Sequence, residues 1–137
     1  MLEEAFRRVP RAEIFAATGL QFMEISTLYH LLALERDNPE LLTAADCFLM
    51  MPDFLHWCLS GSRVVEESNA CESMLYDVTA RAWSDEILDA LDVPRAILPP
   101  VCAAGTQIGR VTAAAAAATG VPEGVPVFAG GADTESA

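Results

Sequence analysis

Val125-Pro126-Val127-Phe128-Ala129-Gly130-Gly131-Ala132-Asp133-Thr134 is the stretch whose reading decides the fold. Residues 125–129 form a short apolar run rich in β-branched and aromatic side chains and followed by glycines, which predicts a buried strand. Pro126 stands at its start, where a missing N–H is tolerated. Gly130 and Gly131 then let the backbone turn sharply, and Asp133 follows where the strand ends. In open α/β sheets ligands collect beyond the carboxyl ends of strands, so this carboxylate is placed for chemistry. The same acid also reads as the N-cap of a helix over Thr134-Glu135-Ser136-Ala137, and the two roles are compatible.

Working outward, Thr112 and Gly120 bracket an alanine run, residues 113–118, as N-cap and stop of a small packing helix. Gln107 to Val111 reads as a strand before it. Ser84 caps an amphipathic helix carrying Ile87, Leu88 and Leu91. Pro52 opens a helix over residues 53–59 that closes at Ser60-Gly61, and Arg63 to Glu66 looks extended. Asp46 to Met51 is a compact apolar run that reads as a further strand. Ser26 is the expected N-cap of a helix through Arg36, and Pro39 the first residue of a shorter one. Residues 2–18 are helical in character, interrupted at Pro10 and stopped by Gly19. Trp57 and Trp83 fall on apolar helix faces and are expected in the core, as are Cys47 and Cys58. Asn69 is expected to fix a turn through its side chain.

The pattern is helix-rich, with a few short, non-hairpin strands, and so implies an α/β sheet. A parallel sheet needs cover on both faces and partners at its edges, which these strands do not supply. The expectation is therefore a piece of a larger unit.

Composition removes several function classes. The chain has 137 residues and a net charge of −12, from 20 acids against 8 arginines, and it contains no lysine. That balance opposes binding to nucleic-acid phosphates and excludes a phosphate loop of the Gly-x-x-x-x-Gly-Lys type. No apolar run reaches the roughly 20 residues of a membrane span, and the acidic, amphipathic start is unlike a signal peptide, which points to a cytoplasmic protein. Cys47, Cys58, Cys71 and Cys102 form no Cys-x-x-Cys pair, and His30 and His56 add no ligand spacing, so no metal site is expected.

The order of segments resembles the FGGY carbohydrate kinases, the sugar-kinase branch of the actin-like (ribonuclease H-like) ATPase superfamily. The resemblance rests on Thr27-Leu28-Tyr29-His30-Leu31-Leu32 with Asn38-Pro39-Glu40-Leu41-Leu42, and on Met51-Pro52-Asp53-Phe54-Leu55 with Leu59-Ser60-Gly61. It continues through Ser68-Asn69-Ala70, Met74-Leu75-Tyr76-Asp77 and Trp83-Ser84 to Ala129-Gly130-Gly131-Ala132-Asp133-Thr134. Residues 20–66 look closest to rhamnulose kinases, and residues 67–137 to xylulose-type members. In the rhamnulose branch a His precedes the catalytic Asp, whereas this chain has Ala132, which argues against rhamnulose itself.

The resemblance implies a kinase that moves the γ-phosphate of ATP, with Mg²⁺, to a hydroxyl of a ketose such as rhamnulose or xylulose. It makes Asp133 the general base and places Thr134, Ala132, Gln21 and Phe22 at the sugar, with Gly130 and Gly131 toward the nucleotide. Phe22 also reads as a hydrophobic staple for the helix at Ser26, and Thr134 as part of a first helical turn. Residues 1–137 would form part of the family's N-terminal, sugar-binding domain, without its Asp-x-Gly-Thr-type phosphate motif or its second domain. Such a piece is expected to be inactive alone. The competing expectation is a non-catalytic interaction module that associates through an exposed sheet edge.

Overall fold

The computed structural model describes residues 1–133. They form two compact units, each made of two stretches of chain. One comprises Met1–Phe48 and Ala70–Leu98, the other Leu49–Asn69 and the chain from Pro99 onward.

The first unit is mainly helical. Helices α1 (Leu2–Arg8) and α2 (Arg11–Thr18) are separated at Pro10, and α2 stops at Gly19, which takes the left-handed conformation (φ 67°) that a C-terminal cap requires. Helix α3 (Thr27–Asp37) buries Leu28, Tyr29, Leu31 and Leu32 along one side, and α4 (Pro39–Ala44) follows with Pro in its first turn. Ser26 occupies the N-cap position of α3 without a side-chain cap. The Leu28 N–H is instead taken by the Ser73 carbonyl at 2.9 Å, a tertiary substitute for the local cap.

Residues 46–51 do not form the expected strand, and Met51 begins a helix instead. Phe48 donates one backbone hydrogen bond to Ile97, at 2.7 Å, and residues 47–50 are only half-buried, so a run that is apolar enough for a strand lacks a ladder to join. Strands β2 (Tyr76–Asp77) and β3 (Ala82–Trp83) pair antiparallel as a hairpin, contrary to the non-hairpin expectation. Asp77 closes that turn by accepting the N–H groups of Thr79 and Ala80, both at 2.8 Å. Helix α7 (Asp85–Ala90) is capped as expected, Ser84 Oγ accepting the Ile87 N–H at 3.3 Å. Trp83 is buried and meets Tyr76 edge-to-face at 6.0 Å.

The second unit holds α5 (Met51–Ser60), β1 (Val65–Glu66), β4 (Val101–Cys102), β5 (Gln107–Arg110), α8 (Ala113–Thr119) and β6 (Pro126–Phe128). Helix α6 (Glu67–Glu72) starts here and carries the chain into the first unit. The β1–β4 pair is parallel, but β5 and β6 are antiparallel, with Gly109 opposite Val127 and Arg110 opposite Pro126. The final strand thus sits in a two-stranded pair rather than in a wide parallel sheet. Val111, Ala115 and Val127 form a buried apolar cluster in this unit, against Leu59, Ile108 and Ala116. Thr112 Oγ1 accepts the Ala115 N–H at 3.2 Å and Gly120 ends α8 in the left-handed region, both as the alanine run predicts.

Two side-chain expectations fail on α5. Trp57 is 39% exposed and stacks on Phe54, and Cys58 is exposed, whereas Asp53 on the same helix is completely buried. The helix carries apolar residues around much of its circumference, so periodicity alone does not say which side faces inward.

Candidate active site

Strand β6 delivers the loop that carries Asp133. Ala129 is fixed at the strand end by two backbone bonds, donating to Thr106 at 2.9 Å and accepting from Gly105 at 2.7 Å. Beyond it the chain alternates in burial: Gly130 is exposed, Ala132 is 1% exposed and Asp133 faces solvent. A Cβ on Gly130 would meet nothing within 4 Å, and its φ lies outside the left-handed region. The turn therefore does not depend on glycine's conformational freedom at this position, contrary to expectation. What the missing side chain leaves is open space, which suits a ligand approaching the backbone. Asp133 itself is helical rather than the N-cap before a helix, and Thr134 lies outside the described residues.

Ala132 is tied to a polar cluster that sequence reasoning did not single out. Its N–H donates to Ser68 Oγ at 2.7 Å. Ser68 Oγ in turn donates to Glu66 Oε2 in a short contact. The same carboxylate oxygen accepts the N–H groups of Ser68, at 2.9 Å, and Asn69, at 3.4 Å. Glu66 thereby caps the start of α6 with its own side chain. Glu is not among the strongly preferred capping residues, which is why local pattern passes it over. Asn69 was the expected turn-former, yet its Nδ2 is buried without a hydrogen-bond partner and the carboxylate of Glu66 does that work.

Glu66 is held in turn from below. Asp53 Oδ1 accepts the Glu66 N–H at 3.1 Å and stands 3.7 Å from His56 Nδ1. Burial pushes the Asp53 carboxyl above the ordinary carboxylate range, against the opposing pull of the Glu66 N–H and of His56, with the Glu66 charge adding to the rise. Cys102, paired with Glu66 across β1 and β4, has its thiol pushed up by burial first and by the Asp53 and Glu66 charges second.

Gln21 and Phe22 belong to the first unit, whereas Gly130, Gly131, Ala132 and Asp133 belong to the second. Gln21 and Phe22 line an open groove of about 570 Å³ with Arg11, Phe15, Gly19 and Leu20. The Phe22 ring packs edge-to-face on Phe6 at 5.1 Å, with the Arg11 guanidinium over it at 4.7 Å, rather than serving as a staple for the helix at Ser26. Among the described residues no group of three His, Cys, Asp or Glu side chains is arranged to hold a metal ion. Likewise no described helix is long and apolar enough to cross a membrane.

This short-stranded, helix-rich α/β architecture, with a carboxylate just past a strand, is that of the actin-like sugar kinases. It is shared with the xylulose kinase of Rhodospirillum rubrum, which superposes with a TM-score of 0.88 at 28% identity over 97% of this chain and 28% of that one. In sequence, L-fuculokinase of Escherichia coli strain K12 is 31% identical over all 137 residues, and rhamnulokinase of Oceanobacillus iheyensis is 35% identical over 91 residues, 66% of the chain. Residues 2–137 match the N-terminal domain of the FGGY family of carbohydrate kinases, and the chain belongs to that family. It spans 29% of the length of the L-fuculokinase and 19% of the rhamnulokinase.

Proposed function

We propose that the protein to which this chain contributes a sugar-binding N-terminal part transfers the γ-phosphate of ATP to a hydroxyl of a ketose sugar of the rhamnulose, fuculose or xylulose type. The observation that carries this reading is Asp133, exposed just past β6 while Ala132 beside it is buried and hydrogen-bonded. ATP with Mg²⁺ supplies the phosphoryl group and an ADP leaving group. The sugar hydroxyl attacks the γ-phosphorus as Asp133 takes its proton; the new O–P bond forms while the bond to the ADP oxygen breaks. Thr134, next to Asp133 in the sequence, is assigned to the sugar. Ala132 is buried and supports the base through its backbone, and open space at Gly130, next to Gly131, gives sugar or phosphate room to approach the backbone. The groove at Gln21 and Phe22 is offered as a further sugar-lining surface.

The residues fit the sugar half of the reaction better than the nucleotide half. A carboxylate is present, whereas the chain has no lysine and its described acids form no metal-binding group. Most contacts to ATP and Mg²⁺ are therefore assigned to other parts of the enzyme, and the 137-residue chain alone is expected to be inactive.

The test is sugar-dependent ADP release by the full-length kinase with rhamnulose, fuculose and xylulose. Asp133→Asn should lower kcat by roughly 10²- to 10⁴-fold, the usual worth of a general base. An Asp133→Asn enzyme at wild-type rate would remove Asp133 from the chemistry. Sugar-dependent ADP release by the 137-residue chain would overturn its expected inactivity.

A second reading, a non-catalytic interaction module, is favoured by the exposed apolar residues Met51, Phe54, Leu55 and Trp57 on α5 and Phe128 on β6. Concentration-dependent association of the chain in sedimentation, with no heat of sugar binding in calorimetry, would support it over the kinase reading.

A further inference from the structure

We propose that Ser68, held by Glu66, is a positioning residue for Asp133. The proposal rests on the assignment of Asp133 as general base.

Ala132 is buried, so its N–H must find a partner inside the protein or stand as an unsatisfied donor. That partner is Ser68 Oγ, at 2.7 Å and 64 residues away in the chain. A hydroxyl can turn its lone pairs toward a donor only if its own hydrogen goes elsewhere, and here it goes to Glu66 Oε2. Glu66 is itself 3% exposed, so its carboxylate is not free to wander into solvent. Its Oε2 also takes the Ser68 and Asn69 N–H groups, which locks the serine between backbone and side-chain contacts to one acid. The backbone of Glu66 is fixed by Asp53 Oδ1 and by the register of β1 on β4.

These bonds form one continuous line from Asp53 through Glu66 and Ser68 to the amide of Ala132. Asp133 is the next residue. Its backbone cannot shift without breaking the Ala132–Ser68 bond or moving Ala132 out of its buried place. The exposed carboxylate is therefore carried on a rigid base, which a general base needs, because a misplacement of about 1 Å can cost on the order of 10²-fold in rate. Ser68 does not touch the reacting atoms in this arrangement; it acts through the Ala132 peptide.

The experiment compares Ser68→Ala, Ser68→Thr and Glu66→Gln with Asp133→Asn in the full-length kinase. Initial rates are measured against sugar and ATP, and the exchange rate of the Ala132 amide is followed by mass spectrometry. Ser68→Ala should lower kcat at least tenfold with the KM for ATP unchanged, and should speed exchange at Ala132. Ser68→Thr, which keeps the hydroxyl, should restore kcat to within about threefold of wild type. Glu66→Gln, a smaller change, should lower kcat in the same direction, and it decides the matter if Ser68→Ala does not fold. A loss of melting temperature in folded Ser68→Ala or Glu66→Gln with kcat kept within twofold, while Asp133→Asn is inactive, would overturn the positioning role and leave the base assignment standing. An active Asp133→Asn enzyme would overturn both.

Discussion

The carboxylate of Asp53 accepts the backbone N–H of Glu66 at 3.1 Å in a place where neither residue is more than 3% exposed. One acid thus spends an oxygen on fixing the backbone of another, and the arrangement makes a specific demand on pH. Burial raises the Asp53 carboxyl above its ordinary value, so the folded chain binds a proton more tightly than the unfolded chain does. Between the ordinary and the raised value, folding takes up a proton, and stability falls as pH rises through that window before levelling off. Asp53→Asn keeps an oxygen for the Glu66 N–H and removes the charge. Chemical denaturation across pH should show the variant and wild type alike below the ordinary carboxylate value. Above it the variant should gain by at most about 1.4 kcal/mol per pH unit until the raised value is passed. A wild-type advantage that grows with pH would contradict this sign.

Gly109 is required by packing rather than by backbone conformation. A Cβ there would stand 2.8 Å from Ser60 Cβ, at the end of α5. Gly109→Ala should destabilise the β5–β6 unit by about 1–3 kcal/mol, the usual cost of overpacking, and Ser60→Gly should recover part of it. A denaturant midpoint for Gly109→Ala equal to that of wild type would show that the two elements can move apart freely.

The two tryptophans should report separately. Trp57 is 39% exposed and Trp83 is 4% exposed. In the chain, acrylamide should quench a red-shifted component that Trp57→Phe removes, leaving a poorly quenched, blue-shifted emission from Trp83. Strong quenching in the Trp57→Phe protein would contradict the buried position of Trp83.

Thiol chemistry gives an independent check on the buried acids. Cys58 is exposed, whereas Cys102 is half-buried and has its thiol raised by burial and by the nearby Asp53 and Glu66. Iodoacetamide at pH 8, followed by peptide mapping, should modify Cys58 well before Cys102. Glu66→Gln should speed modification of Cys102, since it removes one of the charges that disfavour its thiolate. Equal labelling rates in wild type would show that Cys102 does not sense the pair.

Local sequence determined the punctuation of this protein. Pro10, Gly19, Pro39, Gly61, Thr112 and Gly120 bound their helices where chain stiffness, missing donors or left-handed backbone require, and Ser84 and Thr112 cap with their own oxygens. The strand at Pro126–Phe128 was legible for the same reason, as was the acid just beyond it, but its burial was not: Val127 alone of the three is buried and Phe128 is 51% exposed. These signals act within four or five residues, so no partner elsewhere in the chain is needed to read them. Partnership was decided only by the tertiary structure. Ser26 reads as a cap but surrenders that task to the Ser73 carbonyl, and residues 46–51 read as a strand but join no ladder, Met51 opening α5 instead. On α5 the apolar residues are spread around the axis, so only packing could turn Asp53 inward and Trp57 outward. Ser68 and Ala132, 64 residues apart, carry no local mark of each other. A buried N–H takes whichever acceptor the fold brings within reach, and that choice depends on how distant segments pack.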